Sequence, residues 1–452
     1  MGGAVSIVRV SGNGCLDIVD GLVRLRHGSA ASAPGFSLRF GVIDGLDEVL
    51  VSIFRAPSSY TGEDMVEISC HASRYIVGEL MCRLSEAGAR TAEPGEFTRR
   101  AFMNGKMDLA QAEAVADLIS STSSAQHRVA LNQMKGGFSS ELTEIRRQLL
   151  ELTSLLELEL DFSEEDVEFA DRGKLQALLN SSISHCCRLR DSFKAGNALR
   201  NGVPVAIIGA PNSGKSTLLN ALLGDDRAIV SDIPGTTRDT VEETCVLDGI
   251  LFRFIDTAGI RSASDEIERL GIERTLRKAG EASVVLGVID SSTLSSNQDF
   301  EAATAEIYKL VDLDSQKLIV LANKVDIGGV NKNVIDINNF VLSTDNKPNN
   351  VSVLGISAKT GQGLEQLRKT LVSASEIASW DGTLVTNARH AQALADTAEA
   401  LGRVRLGLSN NTPTDLLAED LRSALSSLGT ITGQITTDEV LGEIFGRFCI
   451  GK

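Results

Sequence analysis

The chain has 452 residues, enough for about three domains of ordinary size, and 42% of them are hydrophobic, so it can bury sizeable cores. Lys+Arg 44 against Asp+Glu 60 leaves a net charge of −16, which argues against a general nucleic-acid surface and confines any such contact to a local basic patch. The seven cysteines show no paired C-x-x-C spacing, no apolar run approaches the ~18 residues of a membrane span, and no secretory signal opens the chain. These features argue against a disulfide framework, a zinc site and a membrane protein, and predict a reducing, cytoplasmic setting.

In chain order, Val5–Val10, Glu48–Phe54 and Met65–Ser69 are rich in β-branched residues and partly alternate, as strands do. Residues 76–88 have helical spacing and end on Gly88. An α+β domain over 1–105 follows, with loops at 56–64 and 92–98. From Asp108 to Arg200, Leu109, Ala112, Val115, Ala116 and Ile119, then Leu142, Ile145, Leu149, Leu152 and Leu156, recur at helical spacing, with a break at Gly136-Gly137. The acidic run from Leu156 to Glu168 reads as a solvated helix face and connecting turn. Residues 202–376 alternate apolar strands (Val203–Ile208, Leu251–Ile255, Ser283–Ile289, Lys317–Ala322, Ser352–Ile356) with amphipathic helices, the pattern of a doubly wound α/β domain. Helical spacing returns over 390–408 and 415–428. The expected fold is multidomain, α/β and all-α: a nucleotide domain (202–376) inserted into a helical domain built from 106–201 and 377–452.

The stretch Gly209-Ala-Pro-Asn212-Ser213-Gly214-Lys215-Ser216-Thr217 has the form G-x-x-x-x-G-K-S between a strand and a helix, the context a phosphate-binding loop requires. Small residues let successive N–H groups turn toward a polyphosphate, and the helix N-terminus adds partial positive charge. Lys215 suits the β- and γ-phosphates, and Ser216 suits Mg²⁺. Asp256-Thr257-Ala258-Gly259 follows a strand; Asp256 can hold the Mg²⁺ shell through water and the Gly259 N–H can meet the γ-phosphate. Asn323-Lys324-Val325-Asp326 follows another strand. The Asp326 carboxylate can accept the N1–H and 2-amino hydrogens of guanine, donors that adenine lacks. Lys324 can lie against the base, and Ser357-Ala358-Lys359 can offer backbone N–H to guanine O6. Between the first two motifs, Ser231-Asp232-Ile233-Pro234-Gly235-Thr236-Thr237 suits a loop that closes over the γ-phosphate, with Thr237, or failing that Thr236, on Mg²⁺. The order of the motifs is that of a GTPase. Small GTPases place a glutamine after D-x-x-G to orient water; Ile260 stands there, so Arg261, Glu266 and Glu268 become the candidates.

These motifs resemble translation-factor-related GTPases with an apolar residue in place of the catalytic glutamine, a group that includes ribosome-assembly GTPases. The segments Ser59-Tyr-Thr-Gly-Glu-Asp-Met-Val-Glu-Ile-Ser-Cys-His71 and 92–119, with Cys449-Ile-Gly-Lys452 at the end, narrow the resemblance to the MnmE (TrmE) family of tRNA-modification GTPases. It implies an N-terminal folate-binding domain that dimerises, a discontinuous helical domain and an inserted G domain. It implies K⁺-stimulated GTP hydrolysis accompanying G-domain dimerisation. It also implies a FAD-containing partner, MnmG (GidA), in a heterotetramer that modifies C5 of the wobble uridine (position 34) of certain tRNAs, using a tetrahydrofolate derivative (5-formyl or 5,10-methylene). Residue by residue, Asn212, Ser231, Ile233 and Thr236 resemble the K⁺ ligands, and Glu268 the acidic residue that orients water through a bridging water. Arg9, Glu67, Lys106 and Lys452 resemble the folate-site residues. Cys449 resembles the family's tail cysteine, with chemical, redox and structural parts all open. The family places a strand and a Gly/Arg-rich loop ahead of the segment matching 2–10, so the resemblance implies a folate domain without its first strand.

Other residues have plainer readings. His71 after Cys70 and the pair Cys186-Cys187 read as structural. Arg99-Arg100 with Lys106 could meet tRNA phosphate but reads first as a solvated patch.

Overall fold

The computed structural model describes residues 3–161, 172–224, 242–255, 280, 282–294, 296–327, 350–375, 377, 382–410, 412–446, 448 and 451. The chain opens with β1 (Val5–Ser11), α1 (Cys15–Leu22), β2 (Arg24–Leu25), β3 (Ser37–Ile43), β4 (Asp47–Phe54), β5 (Met65–His71) and α2 (Arg74–Glu86). Its strands form an antiparallel sheet in the order β1-β5-β4-β3-β2. Alternation puts Val8, Val51, Val66 and Ile68 into a core shared with Val19, Leu80 and Leu84 of the two helices. The opposite face carries the cross-strand row Ile7, Ser69, Leu50 and Phe40, in which Ile7 is 61% exposed. Neither α1 nor β3 was expected from the residue pattern. Helix α1 starts after Gly14 in the left-handed region with no side-chain cap, and β3 turns Leu38 and Phe40 to the open face rather than into a core.

Next come α3 (Glu96–Met103), α4 (Leu109–Ser120), α5 (Ser124–Met134), α6 (Gly137–Asp161), α7 (Arg172–Asp191) and α8 (Phe193–Asn201). The break at Gly136-Gly137 lies where expected: α5 stops at Met134 and Gly136 has φ 89°. After them run β6 (Val203–Ile208), α9 (Lys215–Leu223), β7 (Glu242–Leu247), β8 (Ile250–Ile255), β9 (Val284–Asp290), α10 (Asn297–Tyr308), β10 (Lys317–Asn323), β11 (Val351–Gly355) and α11 (Leu364–Ala374). The chain closes with α12 (Ala388–Ser409), α13 (Thr414–Thr432) and α14 (Asp438–Gly446).

Two compact units emerge, one of residues 1–116, 133–182 and 399–452, the other of 117–132 and 183–398. In the first, α6 packs along α13, and the expected stripe Leu142, Ile145, Leu149, Leu152 and Leu156 is buried. Helix α14 packs on α3, and Phe445 and Phe448 join Leu109 and Ala112 in a small core.

In the second unit the strands run β11-β10-β9-β6-β8-β7, parallel except for the antiparallel edge strand β7. Continuous apolar runs such as Val284–Ile289 and Leu318–Ala322 are buried on both faces, as a covered parallel sheet demands. The turn between β7 and β8 seats on the start of α5: the Ala125 N–H donates to the Gly249 carbonyl at 3.1 Å. A Cβ at Gly249 would lie 2.2 Å from the Ser124 hydroxyl.

Candidate functional site

Strand β6 has β8 on one side and β9 on the other, so the chain order reverses beside it, and its carboxyl end is where an open α/β sheet binds ligands. The phosphate-loop sequence occupies that end. Gly209, at φ 152°, passes so close to β9 that a Cβ would stand 2.2 Å from the Val288 carbonyl oxygen. Gly214, at φ 97°, caps α9, and a Cβ there would stand 2.2 Å from the Asn323 amide nitrogen. The Lys215 ammonium donates to the Gly209 and Ala210 carbonyls, each at 2.8 Å, and its burial lowers its pKa below the ordinary lysine value. Asn212, Ser216 and Thr217 are exposed, so their oxygen donors are open to ligands.

The base-recognition motifs converge on the same loop. Asn323, at the end of β10, is buried, and its amide donates to the Ser213 carbonyl at 2.8 Å. The same side chain accepts the Ala358 N–H at 3.0 Å, so one asparagine clasps the phosphate loop to the Ser357-Ala358-Lys359 turn. The Ser357 hydroxyl accepts the Thr360 N–H at 3.2 Å. Lys324 donates to the Asn212 carbonyl at 2.9 Å and to Asp290 at 2.5 Å. Val325 donates its N–H to the Ile356 carbonyl at 3.2 Å, and Asp326 is exposed. Asp290 and Ser291 were not among the expected site residues. Ser291 holds the Asn323 carbonyl at 2.6 Å. The signal in the sequence was the strand end Asp290-Ser-Ser-Thr293, a run suited to capping a turn. Ser231, Asp232, Ile233, Pro234, Gly235, Thr236, Thr237, Asp256, Thr257, Ala258, Gly259, Glu268, Cys449 and Lys452, with Ile260, Arg261 and Glu266, lie outside the described residues.

In the first unit, Arg9 on β1 and Glu67 on β5 stand in register and form a salt bridge at 2.7 Å. The Arg9 guanidinium lies over the Tyr60 and Phe97 rings, 5.4 and 5.3 Å from their centroids. Lys106 donates to the Pro57 carbonyl at 2.9 Å, so it touches the same 56–64 loop that supplies Tyr60. Arg100 is not a solvated patch residue. It binds Glu63 at 2.9 Å and Glu96 at 2.8 Å, because α3 aims it at two carboxylates. His71 pairs with Asp47 at 2.8 Å.

Glu96 is the tightest knot of this network. Burial alone would raise its pKa, but Arg90, the Glu93 N–H and Arg100 outweigh it and lower it from 4.5 to about 2. The stabilisation is present above the unfolded value of 4.5 and is lost as pH falls through about 2. We expect Glu96→Gln to cost about 3 kcal/mol at neutral pH, measured by denaturant unfolding. The gap between the two proteins should close on acidification from pH 4.5 toward 2. A gap independent of pH would contradict this.

A phosphate loop at the sheet's switch point, tied by an asparagine to a base-recognition strand end, is the fold and site of a P-loop GTPase. Two family profiles match the chain: one described as the GTP-binding protein TrmE N-terminus, over residues 1–106, and one as the MnmE helical domain, over 109–449. Proteins named tRNA modification GTPase MnmE align along all of it. That of Christiangramia forsetii is 47% identical and that of Bacteroides thetaiotaomicron 48%, each alignment covering 100% of this chain and 97% of the other. That of Cytophaga hutchinsonii is 46% identical and covers 100% and 95%. The chain belongs to the MnmE family of tRNA modification GTPases.

Proposed function

We propose that this protein is a potassium-stimulated GTPase that, with a FAD-containing partner (MnmG/GidA), modifies C5 of the wobble uridine at position 34 of certain tRNAs. The one-carbon unit comes from a tetrahydrofolate derivative, and GTP hydrolysis is coupled to pairing of the G domains. The observation that carries the nucleotide part is the Asn323 clasp between the Ser213 carbonyl and the Ala358 N–H, which joins phosphate and base recognition in one rigid frame. In this reading Ser216 and Thr237 hold Mg²⁺, while Asn212, Ser231, Ile233 and Thr236 hold K⁺. Asn212 and Ser216 supply the hard oxygen donors such cations take, and both are exposed at the ligand end of the sheet. A monovalent cation there would neutralise charge that an arginine finger neutralises in other GTPases. Glu268 orients water.

The folate reading draws support from chemistry around Arg9. A guanidinium suits carboxylates or a pterin edge, Glu67 accepts ring N–H groups, and Tyr60 and Phe97 offer flat apolar surface beside them. Lys106, Lys452 and Cys449 complete the proposed site. Homodimerisation draws support from the open sheet face, where Ile7, Leu50 and Phe40 are solvent-exposed in one row. We divide the chain into a folate domain (1–105), a helical domain (106–201 and 377–452) and a G domain (202–376). A cytoplasmic site suits free thiols such as Cys15, Cys70, Cys82 and Cys186. Among the described residues no helix is long and apolar enough to cross a membrane.

The test is GTP turnover in KCl and in NaCl, repeated with Asn212→Ala. We expect turnover about tenfold faster in KCl, and loss of that advantage in the variant. Equal rates in the two salts would overturn the potassium assignment.

A further inference from the structure

Four non-glycine residues among those described have positive φ, and two of them touch: Asn212 at 63° and Lys324 at 67°, joined by the bond from the Lys324 ammonium to the Asn212 carbonyl. Such backbone is costly and persists only where its surroundings hold it. A lysine is a poor brace by itself, because its four-carbon stem is flexible. Here Asp290 holds the far end. It stands in register with Asn323 across β9 and β10 and takes the ammonium at 2.5 Å, with its own side chain 15% exposed. Its second oxygen accepts the Ser292 N–H at 3.0 Å and the Ser292 hydroxyl at 2.6 Å, which fixes the orientation of the carboxylate.

We propose that Asp290 is a positioning residue of the GTPase centre: through Lys324 it sets the phosphate loop at Asn212 and the base-recognition loop at one fixed spacing. It touches no nucleotide in this reading. It acts by anchoring Lys324, the cation that spans the two loops. The inference rests on the nucleotide assignments made above for the phosphate loop and the Asn323–Asp326 segment. A plainer role is capping of the short helical turn Ser291–Thr293, which the Asp290 side chain also performs.

The two roles separate by substitution. Asp290→Asn keeps an oxygen for the Ser292 cap and removes the charge that holds Lys324. Ser292→Ala removes a cap bond and leaves the ion pair. We expect Asp290→Asn in the full chain to release a fluorescent GDP analogue about tenfold faster and to raise KM for GTP by a similar factor, with kcat within about threefold of wild type. Ser292→Ala should stay within about twofold of wild type in release. Asp290→Ala, with thermal unfolding recorded alongside, guards against a variant whose amide merely substitutes for the carboxylate. Release and KM unchanged in both Asp290 variants, or equally disturbed in Ser292→Ala, would overturn the inference. Failure of the underlying nucleotide reading has a different signature: Lys215→Ala would bind GDP as wild type does.

Discussion

Replacing Lys215 by alanine will lower GTP turnover by about a thousandfold, the scale on which a preorganised cationic donor at a site of developing charge acts. The lysine is already placed. Its ammonium leans on the Gly209 and Ala210 carbonyls at the mouth of the loop, and the residue opens helix α9, whose N-terminus adds its own partial charge. A phosphate arriving there meets a donor that has lost part of its hydration, which strengthens the contact. Steady-state turnover and GDP affinity of the full chain are the measurements. Turnover within tenfold of wild type would mean that phosphate binds elsewhere.

Gly214→Ala will cost about 4 kcal/mol of stability and weaken nucleotide binding at least a hundredfold. The left-handed backbone at φ 97° disfavours any side chain by about 1 kcal/mol. The larger part comes from Asn323. The new methyl would fall 2.2 Å from its amide nitrogen, and that amide cannot swing aside without leaving the Ser213 carbonyl and the Ala358 N–H. Each buried group left unpaired costs about 1–3 kcal/mol. Denaturant unfolding and GDP titration give the two numbers. Retained affinity in a destabilised protein would show that the clasp and the nucleotide site are separable.

Much of this frame was legible in the sequence because it obeys strong local rules. The strands that end at the site are long apolar runs, and the spacing G-x-x-x-x-G-K-S makes sense only where backbone must approach a phosphate. The expected strand Lys317–Ala322 is observed as Lys317–Asn323, and Val203–Ile208 falls at the same residues. What escaped was nonlocal. Asp290 matters because β9 and β10 lie side by side in one register, a fact no window of sequence contains. Arg100 looked like a surface charge, since only folding brings Glu63, thirty-seven positions earlier, within reach. Strand β7 escaped as well: it adds one antiparallel edge to a sheet whose alternating pattern predicts parallel neighbours.

The turn joining β7 to β8 has a mechanical consequence. In sequence that strand pair spans the gap between the threonine-rich stretch ending at Thr237 and the acidic motif starting at Asp256. Its tip rests on the head of α5 through the Ala125–Gly249 hydrogen bond, and a side chain at position 249 would require the Ser124 hydroxyl to turn away. A tilt of the hairpin that keeps this bond must carry the head of α5 with it.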